Sequence, residues 1–380
     1  MKLLIKTFAG LEEILADELH ALGANDIEIR KRAVSCAGDQ ALLYRANLWL
    51  RTGIRILIPI HSFDARNENA IYEELKTLDW SEHLQLHQTF AIDALSQSTR
   101  FKHNHYLSLK TKDAIVDWFR ERKGKRPSVN TRTPHLRFHL HVDHHHRATL
   151  LADSSGEGLH RRGYRTDGGA APLNEALAAG LVKLSGWQPE EAFVDFMCGS
   201  GTILIEAAMI AANQAPGLHR KFAFQEWQDF DTNLWQDIKM EARQARRPHE
   251  VPIIGVDSHF KAIHIAENNI DAAHLQSYIR VRRSKFQNYL PPEAPGTLIS
   301  NPPYGLRVES DDIESLYQEI GDKLKKDFTG YKAWILSGNI PALKTLGLRP
   351  SRKIHLYNGQ LECRFHRFDL YQGSKKKKEE

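Results

Sequence analysis

Apolar residues at Leu11, Ile14, Leu15, Leu19 and Leu22 recur at the spacing of one helix face, which predicts an amphipathic helix over Leu11–Leu22. A short strand, Lys2–Lys6, precedes it, and Gly23 is placed to end it. Ile27–Arg30 alternates as a strand and Leu42–Leu50 predicts a second helix, so residues 1–45 form a small α+β unit. A second unit follows over residues 46–155. Ile54–Ile60 and Thr89–Ala94 predict strands, and Asn69–Leu78 and Leu107–Arg120 predict helices. In Arg137–Asp143, Phe138, Leu140 and Val142 alternate with His139 and His141, the period of a half-exposed strand. Arg147–Ala152 is placed to pair with it through the His144–His146 turn.

Beyond the glycine-rich stretch Gly163–Gly169, which reads as a linker, the pattern changes. Short apolar runs at Phe193–Asp195, Ile253–Val256, Tyr278–Val281, Leu298–Ser300 and Ala333–Leu336 alternate with longer helical patterns at Ser200–Ala212, Lys261–Ala272 and Ile313–Phe328. That alternation predicts a mostly parallel α/β sheet over residues 160–373. Residues 374–380, with Lys375–Lys378, read as a basic tail.

Composition narrows the class. The chain has 380 residues, 41% hydrophobic and 26% charged, as expected of a globular protein with several domains. Cys36, Cys198 and Cys363 lie far apart and form no metal or disulfide framework, so a reduced, cytoplasmic setting is expected. The most apolar stretch, Thr202–Ala212, is about half a membrane span and contains Glu206, so no membrane segment is expected. The histidines lack zinc-ligand spacing, and no metal is expected. Charge is uneven: Arg100–Arg165 holds 15 Lys and Arg against 6 Asp and Glu, while the whole chain nets +5. A basic segment of this kind fits an acidic polymer. Arg122, Lys123, Lys125 and Arg126 in a basic loop, with Arg161, Arg162 and Arg165 beyond it, are the candidate phosphate contacts.

Two motifs carry chemistry. Asp195-Phe-Met-Cys-Gly-Ser-Gly-Thr202 links a strand to a helix, and its glycines let the backbone turn sharply beside a ligand. Cys198, Gly199, Ser200, Gly201 and Thr202 would line that ligand, and Asp195 would hold an ammonium group. Neither the nucleoside-triphosphate loop pattern nor the full dinucleotide fingerprint is present. Asp257 ends the next strand, where an acid accepts ribose hydroxyls or caps a helix. Asn301-Pro302-Pro303-Tyr304-Gly305 follows a buried strand, and two prolines there forbid both further pairing and an immediate helix. The result is a rigid corner with an amide and an aromatic ring, suited to a flat base bearing an exocyclic amine.

Together these motifs resemble the class I S-adenosylmethionine-dependent methyltransferases. The strings Asp195–Ala208, Ala215–Arg220 and Asp153–Arg165 further resemble the bacterial 23S rRNA guanine-N2 methyltransferases that form the amino-terminal half of the fused large-subunit methyltransferase K/L. The resemblance covers nearly the whole chain. It implies a Rossmann-like methyltransferase domain preceded by an α+β ferredoxin-like unit and a THUMP RNA-binding domain. Asn174 and Glu175 fall where the family closes a helix over the cofactor. Where the family usually carries an Asp near the adenine amine, this chain offers Ser284, with Phe286 as a packing residue. The implied reaction is methyl transfer to guanosine N2 in 23S rRNA or a large-subunit assembly intermediate, by a monomer. Asn301 and the Pro302 carbonyl would hold the amine and Tyr304 the plane of the base. Rival readings are a tRNA guanine-N2 methyltransferase of the same architecture, a DNA adenine-N6 methyltransferase, and a non-catalytic RNA-binding assembly factor. The insertion Gln214–Pro252, with Trp227 and Trp235, is read as either a substrate contact or packing.

Overall fold

The computed structural model describes residues 1–165, 173–248, 250–305 and 310–371. The end of the glycine-rich linker and the basic tail lie outside them. The chain divides into two compact units, each assembled from three segments. The first comprises Met1–Thr7, Leu15–Leu159 and Gly217–Met240; the second comprises Phe8–Ile14, His160–Pro216 and Glu241–Glu380.

The first unit is built on one eight-stranded sheet. Its strands are β1 (Lys2–Thr7), β2 (Asn25–Arg30), β3 (Ala33–Ala37), β4 (Gly53–Asp64), β5 (Thr89–Ser96), β6 (Ser128–Val129), β7 (Leu136–Val142) and β8 (Arg147–Asp153), in the order β2-β3-β1-β4-β8-β7-β5-β6. The helices are α1 (Glu12–Ala21), α2 (Gln40–Trp49), α3 (Glu68–Lys76) and α4 (Asn104–Lys123). The sheet runs straight across the boundary expected at residues 45 and 46, because β4 pairs with β1 on one side and β8 on the other. The alternation in β7 has its expected consequence: Phe138, Leu140 and Val142 are buried beneath α4. The insertion contributes an aromatic cluster to this unit. Phe224 stacks on Tyr44 at 4.4 Å between centroids, and Trp235 packs edge-on against Phe224 at 5.2 Å. Trp227 packs against the core beneath the sheet. Both tryptophans are packing residues.

In the second unit a seven-stranded sheet has the order β11-β10-β9-β12-β13-β15-β14. Its strands are β9 (Ala192–Asp195), β10 (Ile253–Asp257), β11 (Ile279–Arg283), β12 (Gly296–Ser300), β13 (Tyr331–Ser337), β14 (Arg352–Asn358) and β15 (Leu361–Asp369). Those from β11 to β13 run parallel, and β15 is antiparallel to both β13 and β14. Helices α5 (Glu175–Ser185), α6 (Thr202–Ala211), α8 (Phe260–Ala272), α9 (Ser310–Asp327) and α10 (Ile340–Thr345) accompany the sheet, and α7 (Thr232–Gln244) follows the aromatic segment of the insertion. Phe193 of β9 joins one apolar cluster and its neighbour Val194 another. A strand buried on both faces reads as an apolar run, which is how this sequence wrote it.

Candidate active site

Strand order reverses at β9, whose neighbours are β10 and β12. In open α/β sheets ligands bind outside the carboxyl ends of strands at such a switch point. Asp195 ends β9, Asp257 ends β10 and Asn301 follows β12 directly, so three candidate residues share this edge.

The Asp195 carboxyl is buried, and its Oδ1 accepts hydrogen bonds from the Ser300 hydroxyl at 2.7 Å and the Met197 amide at 3.2 Å. Burial pushes this group up to about 7 despite both donors. An acid raised in this way lacks a cationic partner, and a ligand ammonium would supply one. Gly199 has φ +53° and a Cβ added there would meet open space, so the turn leaves room beside its main chain. Its amide donates to Asp257 Oδ2 at 3.0 Å, tying the first strand's turn to the second strand's acid. Asp257 also accepts from the His259 amide at 2.9 Å. Gly201, at φ +77°, caps α6 without a side-chain bond. The turn is fixed by Cys198, whose amide donates to the Val256 carbonyl and whose carbonyl accepts from Gly201. The Cys198 thiol is buried and pushed well up, so it stays protonated. The Ser200 carbonyl accepts from Asn269 at 3.0 Å, and its hydroxyl is 3.2 Å from that of Thr202.

Asn174 caps α5, accepting from the amides of Ala176 and Leu177. Glu175 is buried, with its carboxyl raised chiefly by burial. Arg165 reaches this cluster: its Nη2 lies 3.2 Å from Thr202 Oγ1 and 3.4 Å from Glu175 Oε1, and donates to the Leu173 carbonyl. Arg162 is buried against Glu206, itself fully buried, at 3.4 Å. The expectation that Arg162 contacts phosphate is therefore corrected, since a buried carboxylate holds it as a counter-charge. Arg165 likewise faces the turn rather than an RNA backbone. Arg161 is exposed, as are Arg122, Lys123, Lys125 and Arg126 at the end of α4 and in the loop beyond. Arg122 lies over the Trp118 ring at 4.7 Å.

At the corner after β12, Pro302 is buried and Pro303 exposed. The Tyr304 hydroxyl donates to Asn301 Oδ1, and the Asn339 amide donates to the Tyr304 carbonyl at 3.1 Å. Tyr317 donates to the Pro303 carbonyl at 3.3 Å and is 2.6 Å from the Ser337 hydroxyl. Burial raises the Tyr304 phenol far above its ordinary value, so it is a neutral donor. Sequence patterns missed Asn339, Tyr317 and Ser300, which brace the two motifs. Asn339 lies just beyond the run that became β13, a position a switch-point argument would reach. Ser284 follows β11 directly; its amide donates to the Asp257 carbonyl and its hydroxyl to the Lys285 carbonyl. Phe286 is buried against Phe196 at 5.3 Å, the packing role expected of it. Among the described residues no trio of His, Cys, Asp or Glu is placed to hold a metal, and no helix is long and apolar enough to cross a membrane.

The family description "RMKL-like, methyltransferase domain" matches residues 162–367. The chain belongs to this methyltransferase family. "RlmL ferredoxin-like domain" matches residues 2–57 and "THUMP domain" residues 65–152 of this RMKL-like chain. Among curated relatives, the ribosomal RNA large subunit methyltransferase K/L of Syntrophotalea carbinolica is 40% identical over 96% of the chain and 54% of its own length. The Methylococcus capsulatus K/L protein is 40% identical over 95% of the chain and 50% of its length. The chain thus spans about half of these K/L relatives. A Synechocystis protein, provisionally named an RNA methyltransferase, is 39% identical over 95% of both chains. Among solved structures, a provisionally named methyltransferase complexed with S-adenosylhomocysteine has a TM-score of 0.89 at 29% identity, covering 98% of this chain and 99% of that one. A predicted N6-adenine-specific DNA methylase from Listeria monocytogenes has a TM-score of 0.87 at 30% identity, covering 97% and 96%. The RMKL-like family is S-adenosylmethionine-dependent, and the open turn at Gly199, the raised Asp195 and the Asp257 carboxyl at the end of β10 fit that cofactor.

Proposed function

We propose that this chain transfers a methyl group from S-adenosylmethionine to the exocyclic N2 amine of a guanosine in 23S rRNA. The observation that carries the methyl-transfer part of this reading is the Ser300–Asp195 hydrogen bond of 2.7 Å. It braces the strand end bearing the amine-holding corner against the one bearing the cofactor turn. Asp195 holds the cofactor's ammonium, Asp257 its ribose, and Gly199, Gly201 and Thr202 shape the turn around its methionine end. Asn174, Glu175, Cys198, Ser200 and Ser284 complete the surroundings. The cofactor supplies an electrophilic methyl on a sulfonium.

The chain's own task is alignment. The lone pair of the guanine N2 amine is shared with the ring, so the amine is a weak nucleophile. Asn301 Oδ1 and the Pro302 carbonyl accept its two hydrogens and turn the lone pair out of conjugation. Tyr304 donates to Asn301 in the resting site; on substrate entry that hydroxyl releases the carboxamide and the ring fixes the base plane. Proximity and orientation carry the rate, and a neutral Asn301 leaves the product proton to water. A paired target base must first be flipped out, at about a few kcal/mol. Guanine in 23S rRNA rests on the likeness to the K/L proteins and the basic loop Arg122–Arg126, with Arg161, as an RNA contact. The name of the Listeria neighbour favours a second reading, adenine N6 in DNA, because the same corner serves either amine.

Tritiated-methyl transfer to 23S rRNA, tRNA and duplex DNA, with nucleoside analysis, separates the two. N2-methylguanosine in 23S rRNA is expected, and N6-methyladenine in its place would overturn the base assignment. Asn301→Ala should lower transfer at least about a hundredfold and leave S-adenosylhomocysteine affinity within about threefold. A parallel collapse of cofactor affinity would remove Asn301 from the target-base role.

A further inference from the structure

The carboxyl ends of β10 and β11 carry an aromatic side chain that the cofactor turn and the Asn301 corner do not use. Phe260, the first residue of α8, is 68% exposed, the most exposed aromatic of the described residues. His264, one turn on, lies with its ring nearly parallel to it (3° between planes, centroids 6.3 Å apart). The Arg283 guanidinium sits 5.9 Å from the Phe260 centroid, and its Nε lies 3.4 Å from the Ser258 carbonyl. Lys261, next to Phe260 on α8, and Lys285, two residues beyond Arg283, are exposed cations close in sequence, while Asp257 at the end of β10 and exposed Glu267 on α8 are the acids of this stretch. Among the described residues β11 is the edge strand of its sheet, with no further strand beyond it.

Phenylalanine held in water loses the gain of burial, and Arg283 beside it supplies a cation within reach of the same ligand. A ring flanked by cations is the pairing that single-stranded nucleic acid binds: bases stack on the ring and phosphates lie along the charges. We infer that Phe260 is a stacking platform for an unpaired RNA base, with Arg283, Lys261 and Lys285 taking the adjoining phosphates. The platform shares the sheet edge with the Asn301 corner. It would therefore hold a nucleotide near the target, a contact separate from the basic loop of the first unit. This inference rests on the reading of RNA as substrate. A cofactor adenine is the competing occupant, because Phe260 is three residues beyond Asp257.

The test uses the full chain with a fluorescein-labelled, unstructured single-stranded oligoribonucleotide and a duplex of the same length, read by anisotropy across a salt series. S-adenosylhomocysteine binding is measured in parallel by calorimetry. Phe260→Ala should weaken single-strand binding by roughly fivefold to a hundredfold, leave the salt slope unchanged, and barely affect the duplex. Phe260→Trp should restore it. Arg283→Gln should lower the salt slope by about one. Unchanged single-strand affinity in Phe260→Ala overturns the platform while leaving the RNA substrate reading intact. A matching loss of S-adenosylhomocysteine affinity assigns the ring to the cofactor instead. A parent chain that binds neither RNA overturns the substrate reading and the platform together.

Discussion

Asp195 is the residue whose chemistry depends most on what binds beside it. Its carboxyl is held at about 7 against an ordinary 3.8, with burial the largest cause. A carboxyl whose folded pKa exceeds its unfolded one binds more protons when folded. Its contribution to stability is therefore full below about pH 4 and is lost as pH rises toward 7. At pH 8 the ionised group costs the ligand-free protein on the order of a few kcal/mol. Asp195→Asn should raise the ligand-free melting temperature by roughly 5 °C at pH 8, with the difference shrinking by pH 5. The same variant should bind S-adenosylhomocysteine more weakly, since the ammonium loses its counter-charge. Scanning calorimetry at both pH values with a binding titration reads both effects. An unchanged melting temperature at pH 8 would mean that Asp195 has an unseen partner in the ligand-free state.

At the scale of elements, the turn between β9 and α6 sets the tolerance of the site. Gly201 sits at φ +77° with Ala266 Cβ 3.2 Å from where its own Cβ would be. Gly201→Ala should cost roughly 1–2 kcal/mol from backbone strain alone and lower cofactor affinity more than Gly23→Ala, which also has positive φ but meets nothing within 4 Å. Equal losses of affinity would show that strain, not the turn beside the ligand, governs the effect. This turn, the corner after β12 and the parallel strands were legible because glycine, proline and apolar runs mark them directly. Elements escaped where that marking fails. β6 is two residues long. β3, Ala-Val-Ser-Cys-Ala, alternates in burial from Val34 on, but its short, small side chains give too little apolar contrast to mark it. In β15, Arg364, His366 and Arg367 interrupt a strand whose Cys363, Phe365 and Phe368 are buried. Of the expected phosphate contacts, Arg162 was misplaced because sequence shows a charge but not the buried Glu206 opposite it. Ser284, proposed for the adenine edge, follows β11, and a serine hydroxyl that bonds its own neighbour carries no ligand signal.

For the whole molecule, the path of the chain matters more than the number of domains. Phe8–Ile14 belongs to the second unit, where Leu11 is fully buried. A Cβ added at Gly180 of α5 would press on the Leu11 side chain, its nearest atom at 2.5 Å. Gly217–Met240 belongs to the first unit, whose Tyr44 needs Phe224 and Trp235 as neighbours. Removing residues 1–155 therefore does more than delete an RNA-binding region. It takes Leu11 from one core and strips the partners from the insertion's aromatic residues. The fragment should aggregate or melt well below the full chain, since loss of a buried leucine alone costs about 2–5 kcal/mol. A soluble fragment with the full chain's melting temperature and S-adenosylhomocysteine affinity would sink that expectation. On the proposed reading, charge changes in the exposed loop Arg122–Arg126 are the cleaner test of RNA binding.

The same threading imposes an order on synthesis. A chain emerging from the ribosome has its eight-stranded sheet available once Asp153 is out, yet the aromatic lid over Tyr44 arrives only with Phe224 and Trp235, some seventy to eighty residues later. At about 5–20 residues per second the first unit waits several seconds with Tyr44 uncovered. Meanwhile β9 and α6 are already being made. The first unit thus has all its segments at Met240, before β10 to β15 of the second are made.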